Sequence, residues 1–233
     1  MDPILLVSSL SVADLAAFGF IVTVWLGIGW IIEHPSAKRP SVSILMKSYR
    51  RAWMEAFIDR QPRIFDAQIL GTLRQGTTFF ASTNVLAIGG AMALIGNANQ
   101  LDGLTEALPG EASAAALRVK LLAVVFFLAT GFLKFVWASR LFGYCAVVMA
   151  SVPNDPEDGR ARIWASKAAE INIRAAMNFN RGLRATYFAL ATLGWLLGPW
   201  ALASAAILTF GVLWQREFAS LSQTILAKDR PTL

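Results

Sequence analysis

Long uncharged apolar runs alternate along this chain with shorter basic segments. Residues 15–32 form 18 positions without a charge. Residues 76–98 form a second run of 23. A third, residues 121–150, is interrupted only by Lys134 and Arg140. The fourth, residues 185–214, is 30 residues long and uncharged. A bilayer-spanning helix needs about 20 mostly apolar residues, so the pattern predicts four transmembrane helices. Gly198-Pro199 sits near the middle of the fourth run. Split there, each half would cover only about 20 Å of a core roughly 30 Å thick. The run is therefore read as one long, tilted or kinked helix, with a hairpin at Pro199 as the alternative.

The segments between the runs have a different period. Pro40 and Ser41 mark a helix start, and Met46, Tyr49, Trp53 and Phe57 follow at spacings of three and four, the mark of an amphipathic helix. Lys47, Arg50 and Arg51 fall on the opposite side, and Pro62 ends the pattern. In residues 151–184, a Pro153-Asn154-Asp155-Pro156 turn precedes a helix from about Gly159. Ile163, Trp164, Ala168, Ile171 and Ala175 are predicted on one side of it, with Arg162, Lys167, Glu170 and Arg174 on the rest. This helix is predicted to run into the fourth span and to stack on the helices of residues 33–75. The fold class is thus an all-α polytopic membrane bundle, one domain over residues 1–233, with four spans and amphipathic cytoplasmic helices.

Composition agrees. Hydrophobic residues make up 56 % and charged residues 15 %, against about 25 % charged in soluble domains. A single cysteine, Cys145, rules out a disulfide scaffold. A single histidine, His34, rules out the usual zinc and paired-histidine haem sets. Lys and Arg collect on the cytoplasmic side of membrane proteins. Residues 33–75 carry eight of them and residues 151–184 carry six, whereas residues 97–116 carry none against Asp102, Glu106 and Glu111. The N-terminus is therefore expected outside and both basic segments inside. Four spans would leave the C-terminus outside, against the charge of Arg216, Lys228 and Arg230 in the tail.

Ionisable groups within spans are costly and mark candidate sites. Lys134 lies six residues, about 9 Å, deeper than Arg140, and Arg140 shares a face with Tyr144. Ser82, Thr83 and Asn84 form a polar cluster on the second span, and Lys134 is expected to face it. Asn180, Arg181 and Arg184 gather where the fourth span begins, a pattern that suits an anionic headgroup. Asp66, set between Arg60, Arg63 and Arg74, reads as a structural counter-ion. No G-x-x-x-x-G-K-[ST], H-E-x-x-H or strand-linked G-x-G-x-x-G pattern is present. The expectation is a protein that is not an enzyme and uses no cofactor, metal or nucleic acid.

Several stretches carry a resemblance: RIFDAQILGTLRQG (63–76), FFASTN (79–84), LKFVWASRLFGYC (133–145), NFNRGLRATYFALATLGW (178–195) and REF (216–218). In this order they resemble a family of small multi-span bacterial membrane proteins known only as a domain of unknown function. The family pattern leads the third stretch with Phe where this chain has Leu133, and ends the second with Ser where it has Asn84. The resemblance implies four membrane helices, a bacterial inner-membrane setting and no assigned activity. The functional expectation is a helical bundle that binds an anionic lipid or ligand, or serves a larger membrane complex. The alternative is an oligomeric channel or transporter for a small solute, an anion among the candidates. The expected partners are membrane lipids, a second copy of the chain, or a larger assembly.

Overall fold

The computed structural model describes residues 10–97, 103, 113–229 and 231. Every regular element among them is helical: α1 (Val12–Glu33), α2 (Val42–Asp59), α3 (Ile64–Gly96), α4 (Ala114–Ser151), α5 (Gly159–Leu193), a 3₁₀ turn (Gly194–Leu197), α6 (Pro199–Phe218) and α7 (Leu221–Ala227). Three of these, α1, α3 and α4, are long and apolar enough to cross a membrane. Of the apolar window of α3 only 6 % is buried within the protein, against 44 % for α4. Helix α4 is therefore the more enclosed of the two. The acidic stretch between α3 and α4, with Asp102, Glu106 and Glu111, lies outside the described residues.

The chain forms two compact units. The first contains residues 1–30, 82–132 and 183–214. Its core joins Ile21 and Ile28 of α1 to Phe127 of α4, Phe188 of α5 and Leu202 of α6, all fully buried. Trp25 meets Phe127 edge to face at 5.2 Å. At the start of α1, the Ser11 hydroxyl accepts from the Asp14 N–H and the Asp14 carboxylate accepts from the Ser11 N–H, both at 3.1 Å. This reciprocal pair satisfies two amides that the first turn leaves without partners. Asp14 also accepts from the Trp195 indole at 2.7 Å and lies 3.7 Å from the Lys120 ammonium. One acidic group thereby ties together the ends of α1 and α4 and the 3₁₀ turn.

The fourth apolar run is not one long helix, which corrects the preferred reading of residues 185–214. Helix α5 stops at Leu193, and the 3₁₀ turn ends at Gly198, whose φ of 117° lies in a region that only glycine adopts readily. Pro199, with no N–H to lose at a first helical position, then starts α6. A Cβ on Gly194 would lie 3.2 Å from the Ala201 carbonyl oxygen and 3.3 Å from the Ala205 Cβ. In a continuous helix residues 194 and 205 would stand about 16 Å apart. Helix α6 thus doubles back on the end of α5.

The second unit contains residues 31–81, 133–182 and 215–233. Eighteen of the 21 Lys and Arg residues lie in these segments. Helix α2 begins where predicted: Ser41 caps it by accepting from the Ile44 N–H at 3.3 Å and donates its hydroxyl to the Ile32 carbonyl at 2.7 Å. The unit's core combines Met54, Phe57 and Ile58 of α2 and Leu70 of α3 with Leu141, Phe142, Cys145 and Met149 of α4 and an alanine face of α5, Ala161, Ala165, Ala168 and Ala169. Ile163, expected on that face, is exposed, and small residues pack there instead. Helix α7 is tied to α2, with the Tyr49 hydroxyl donating to the Leu226 carbonyl at 3.2 Å.

Candidate functional site

The cations of α2 and α5 face a shared groove in the second unit. Its larger lobe, about 420 Å³, is lined by Lys47 and Arg51 of α2, Trp137 of α4, and Glu170, Arg174 and Arg181 of α5. A smaller lobe of about 170 Å³ adds Arg50, Asn180, Arg216 and Glu217. Lys47 lines both lobes. Lys47 and Arg50 stand seven and four residues before Met54, so the three share a face of α2: Met54 packs into the core, and the two cations line the groove two turns and one turn nearer the start of the helix.

Six cations and two carboxylates line this groove, and both carboxylates are already engaged. Glu170 pairs with Arg51 at 2.8 Å. Glu217 accepts from the Ser43 N–H and hydroxyl, both at 3.0 Å, which sets its charge against the positive end of α2. The Asn180 amide donates to the same Ser43 hydroxyl at 3.2 Å. Arg181 forms a two-point ion pair with Glu33, which raises the guanidinium pKa above its ordinary value. Arg50 donates to Asn172, and burial lowers its pKa. Its Nε is buried without a hydrogen-bond partner. Lys47 and Arg174 have no ion pair among the described residues. Chemically the groove offers guanidinium, ammonium and amide donors to an anion.

The structure separates the residues that the sequence groups together. Arg181 and Asn180 line the groove, but Arg184 belongs to the first unit, buried against Gly29 of α1. Arg140 is exposed and donates from Nε to the Tyr144 hydroxyl at 2.7 Å, on the shared face expected. In the polar cluster, Ser82 and Thr83 lie exposed while Asn84 is buried. The Asn84 amide donates to the Leu128 carbonyl at 3.1 Å and to the Thr186 hydroxyl at 3.2 Å. Lys134, expected to anchor that cluster, is half-buried and makes no hydrogen bond or ion pair among the described residues. Asp66 is fully buried, pairs with Arg60 and accepts from the Trp53 indole at 2.6 Å.

No group of three or more metal-ligating side chains occurs among the described residues. A family profile described as "Protein of unknown function, DUF599" matches residues 16–222. The chain belongs to this family. Searches of curated proteins and of solved structures return no match. Membership of DUF599 covers α1 to α6 and assigns no activity to the groove. The groove residues Lys47, Arg50, Arg51 and Arg174 were legible only as solvated charges on amphipathic helices. Their signal was that two basic faces occur on helices expected to stack.

Proposed function

We propose that this DUF599 protein is a multi-span membrane protein of the bacterial inner membrane that binds an anionic headgroup or ligand in the α2–α5 groove, without catalysing a reaction. The observation that carries this reading is the pair Lys47 and Arg174. Both line the cavity of about 420 Å³ and neither has a carboxylate partner. A charge-assisted hydrogen bond contributes roughly 1.5–3 kcal/mol, so a phosphate or carboxylate placed between them gains more there than in water. The concentration of Lys and Arg in the second unit supports its placement on the cytoplasmic side, where anionic lipids attract basic clusters. In this reading α1, α3, α4 and the α5–α6 hairpin lie in the bilayer, the N-terminus is outside and the tail inside. Arg216 and Lys228 then obey the same charge rule as α2 and α5.

The channel or transporter reading leaned on Lys134 with a polar wall of Ser82, Thr83 and Asn84. Asn84 is spent on Leu128 and Thr186, so the groove supports the binding reading better. The test is native mass spectrometry of the protein released from nanodiscs of mixed phosphatidylglycerol and phosphatidylcholine, with glycerol phosphate added in a second arm. Preferential retention of phosphatidylglycerol, falling about tenfold or more in Lys47→Gln/Arg174→Gln, is expected for a lipid headgroup. Displacement by glycerol phosphate alone would identify a soluble anion. Equal retention of both lipids, or a double variant that behaves as wild type, would overturn the reading.

A further inference from the structure

A second cavity of about 320 Å³ lies between α2, α3 and α4, distinct in its lining from the basic groove. At the roughly 30 Å³ that a water occupies in the liquid, it has room for about ten non-hydrogen atoms. The sequence creates the space with small residues. Ala67 and Gly71 stand four apart on α3, and Ala146 and Ala150 four apart on α4, so each pair shares one helix face. Phe57, Leu70, Phe142 and Met149 complete apolar walls, and Arg63 and Arg74 are the charged residues of the lining, which includes no acid.

The two arginines are not matched by carboxylates. Arg63 donates to the carbonyls of Val152 at 2.7 Å, Pro153 at 2.8 Å and Ile58 at 3.2 Å, and its guanidinium lies over the Phe57 ring at 4.5 Å. Carbonyls and a ring face hold the group in place but leave its full positive charge. Arg74, one turn beyond Gly71, is exposed and has no side-chain partner among the described residues. A mostly apolar pocket of a few hundred cubic ångströms with a few convergent polar groups is the usual form of a small-molecule site. Here the polar groups are Arg63, Arg74 and Asn154, and the charged ones have one sign.

We propose that this slot binds a single-chain amphiphilic carboxylate, a fatty acid of about eight carbons, with its carboxylate on Arg74 in the field of Arg63 and its chain between α3 and α4. Length follows from the volume, and the head group from the two uncompensated guanidinium charges. A planar carboxylate also matches the two-point donor geometry of arginine. A neutral alkane or alcohol would fill the walls and leave the charge unused. The slot shares no lining residue with the α2–α5 groove, so the two sites are independent.

The test uses an octanoate analogue with a photoactivatable diazirine, added to the protein in phosphatidylcholine nanodiscs, with adducts mapped by peptide mass spectrometry. Adducts are expected on residues 67–74 and 142–150, competed by octanoate and at least tenfold less by octanol. Arg74→Gln should lower the yield about tenfold or more. Gly71→Leu should abolish it. A Cβ on Gly71 meets nothing within 4 Å, and leucine is the better helix former, so this variant folds and fills the slot. Retention of phosphatidylglycerol by Gly71→Leu reports separately on the groove. Adducts spread over exposed positions such as Phe79 and Leu86, equal competition by octanol, or wild-type yield in a folded Gly71→Leu would each overturn the proposal.

Discussion

Gly182 lies so close to the Phe135 ring that a Cβ on it would come within 2.7 Å of a ring carbon. The ring cannot retreat easily. Phe135 is fully buried, stacks on Phe80 at 5.4 Å and meets Phe179 at 5.5 Å. Three of the stretches that carry the family resemblance, around Phe80, Phe135 and Phe179–Gly182, therefore meet at one packing point. Gly182→Ala should destabilise the protein by about 1–3 kcal/mol through overpacking, even though alanine is intrinsically the better helix former by about 1 kcal/mol. Thermal unfolding in detergent measures this. A stabilised variant would show that the ring moves aside.

Gly198 sets the course of the chain after α5. Its φ of 117° is closed to side chains with a Cβ, so Gly198→Ala should cost about 1–3 kcal/mol or open the hairpin. In the membrane arrangement proposed above, the hairpin returns the tail to the inner side. In a Cys145→Ser background, single cysteines at Ser166 and Lys228 should both be protected from an impermeant maleimide in intact cells, while one at Gly103 is labelled. Labelling at Lys228 would restore the single long crossing.

Asp66 has no solvent contact, whereas its partner Arg60 keeps 34 % of its side chain exposed. The two halves of the pair are therefore unequal. Arg60→Ala leaves a buried carboxylate with only the Trp53 indole as donor, and should cost about 3–5 kcal/mol. Asp66→Ala leaves a guanidinium that water can reach, and should cost less. Melting temperatures of the two variants in one detergent test the order, and the reverse order would remove the ion pair as its cause.

Much of this architecture could be read from residue pattern. Helices α1 and α3 announce themselves as uncharged runs and α4 as an apolar run broken only by Lys134 and Arg140, and Ser41 marks the start of α2. The failures have physical causes. Gly198-Pro199 is compatible with a kink or a reversal, and only the backbone angle decides between them. On α5, Trp164, Ala168, Ile171 and Ala175 pack on the core as their spacing suggests, but Ile163 is exposed, and Ala161 and Ala165 pack there as well. Arg181 and Arg184, three apart, share a helix face, yet one meets Glu33 and the other Gly29. Which residues of α1 oppose them is a tertiary fact that spacing along α5 does not contain. The groove was missed for the same reason: its charge arises from two helices that only folding brings together.

Asp158 precedes α5 and accepts from the Arg160 N–H at 2.9 Å and from its guanidinium at 2.6 Å. These bonds hold its pKa at about 2, below the ordinary 3.8. A carboxyl whose folded pKa is depressed adds stability that is complete above its unfolded pKa and lost as pH falls through its folded value. The contribution should therefore disappear between about pH 4 and pH 2. Asparagine keeps a capping acceptor without the charge, so the melting-temperature gap between wild type and Asp158→Asn should close over that window. A carboxyl titration midpoint near 4 by NMR would show that the Arg160 bonds do not persist in solution.

Lys134 tests how a cation is tolerated on a helix long and apolar enough to cross a membrane. It sits on α4 between exposed Leu133 and buried Phe135, half-buried and without a polar partner among the described residues. Asn84 is already satisfied by Leu128 and Thr186, so the cluster does not depend on Lys134 for its hydrogen bonds. The remaining way to solvate the ammonium is to extend its four-carbon stem towards the headgroups. Lys134→Met keeps the length and the apolar contacts and removes the desolvation penalty. The melting temperature in nanodiscs should therefore stay the same or rise. Asn84→Leu should lower it, because the bonds from the Asn84 amide to the Leu128 carbonyl and the Thr186 hydroxyl are lost, a cost of about 1–3 kcal/mol. If Lys134→Met instead falls as far as Asn84→Leu, the lysine holds a polar group in the membrane, and the anchoring role first expected of it would stand.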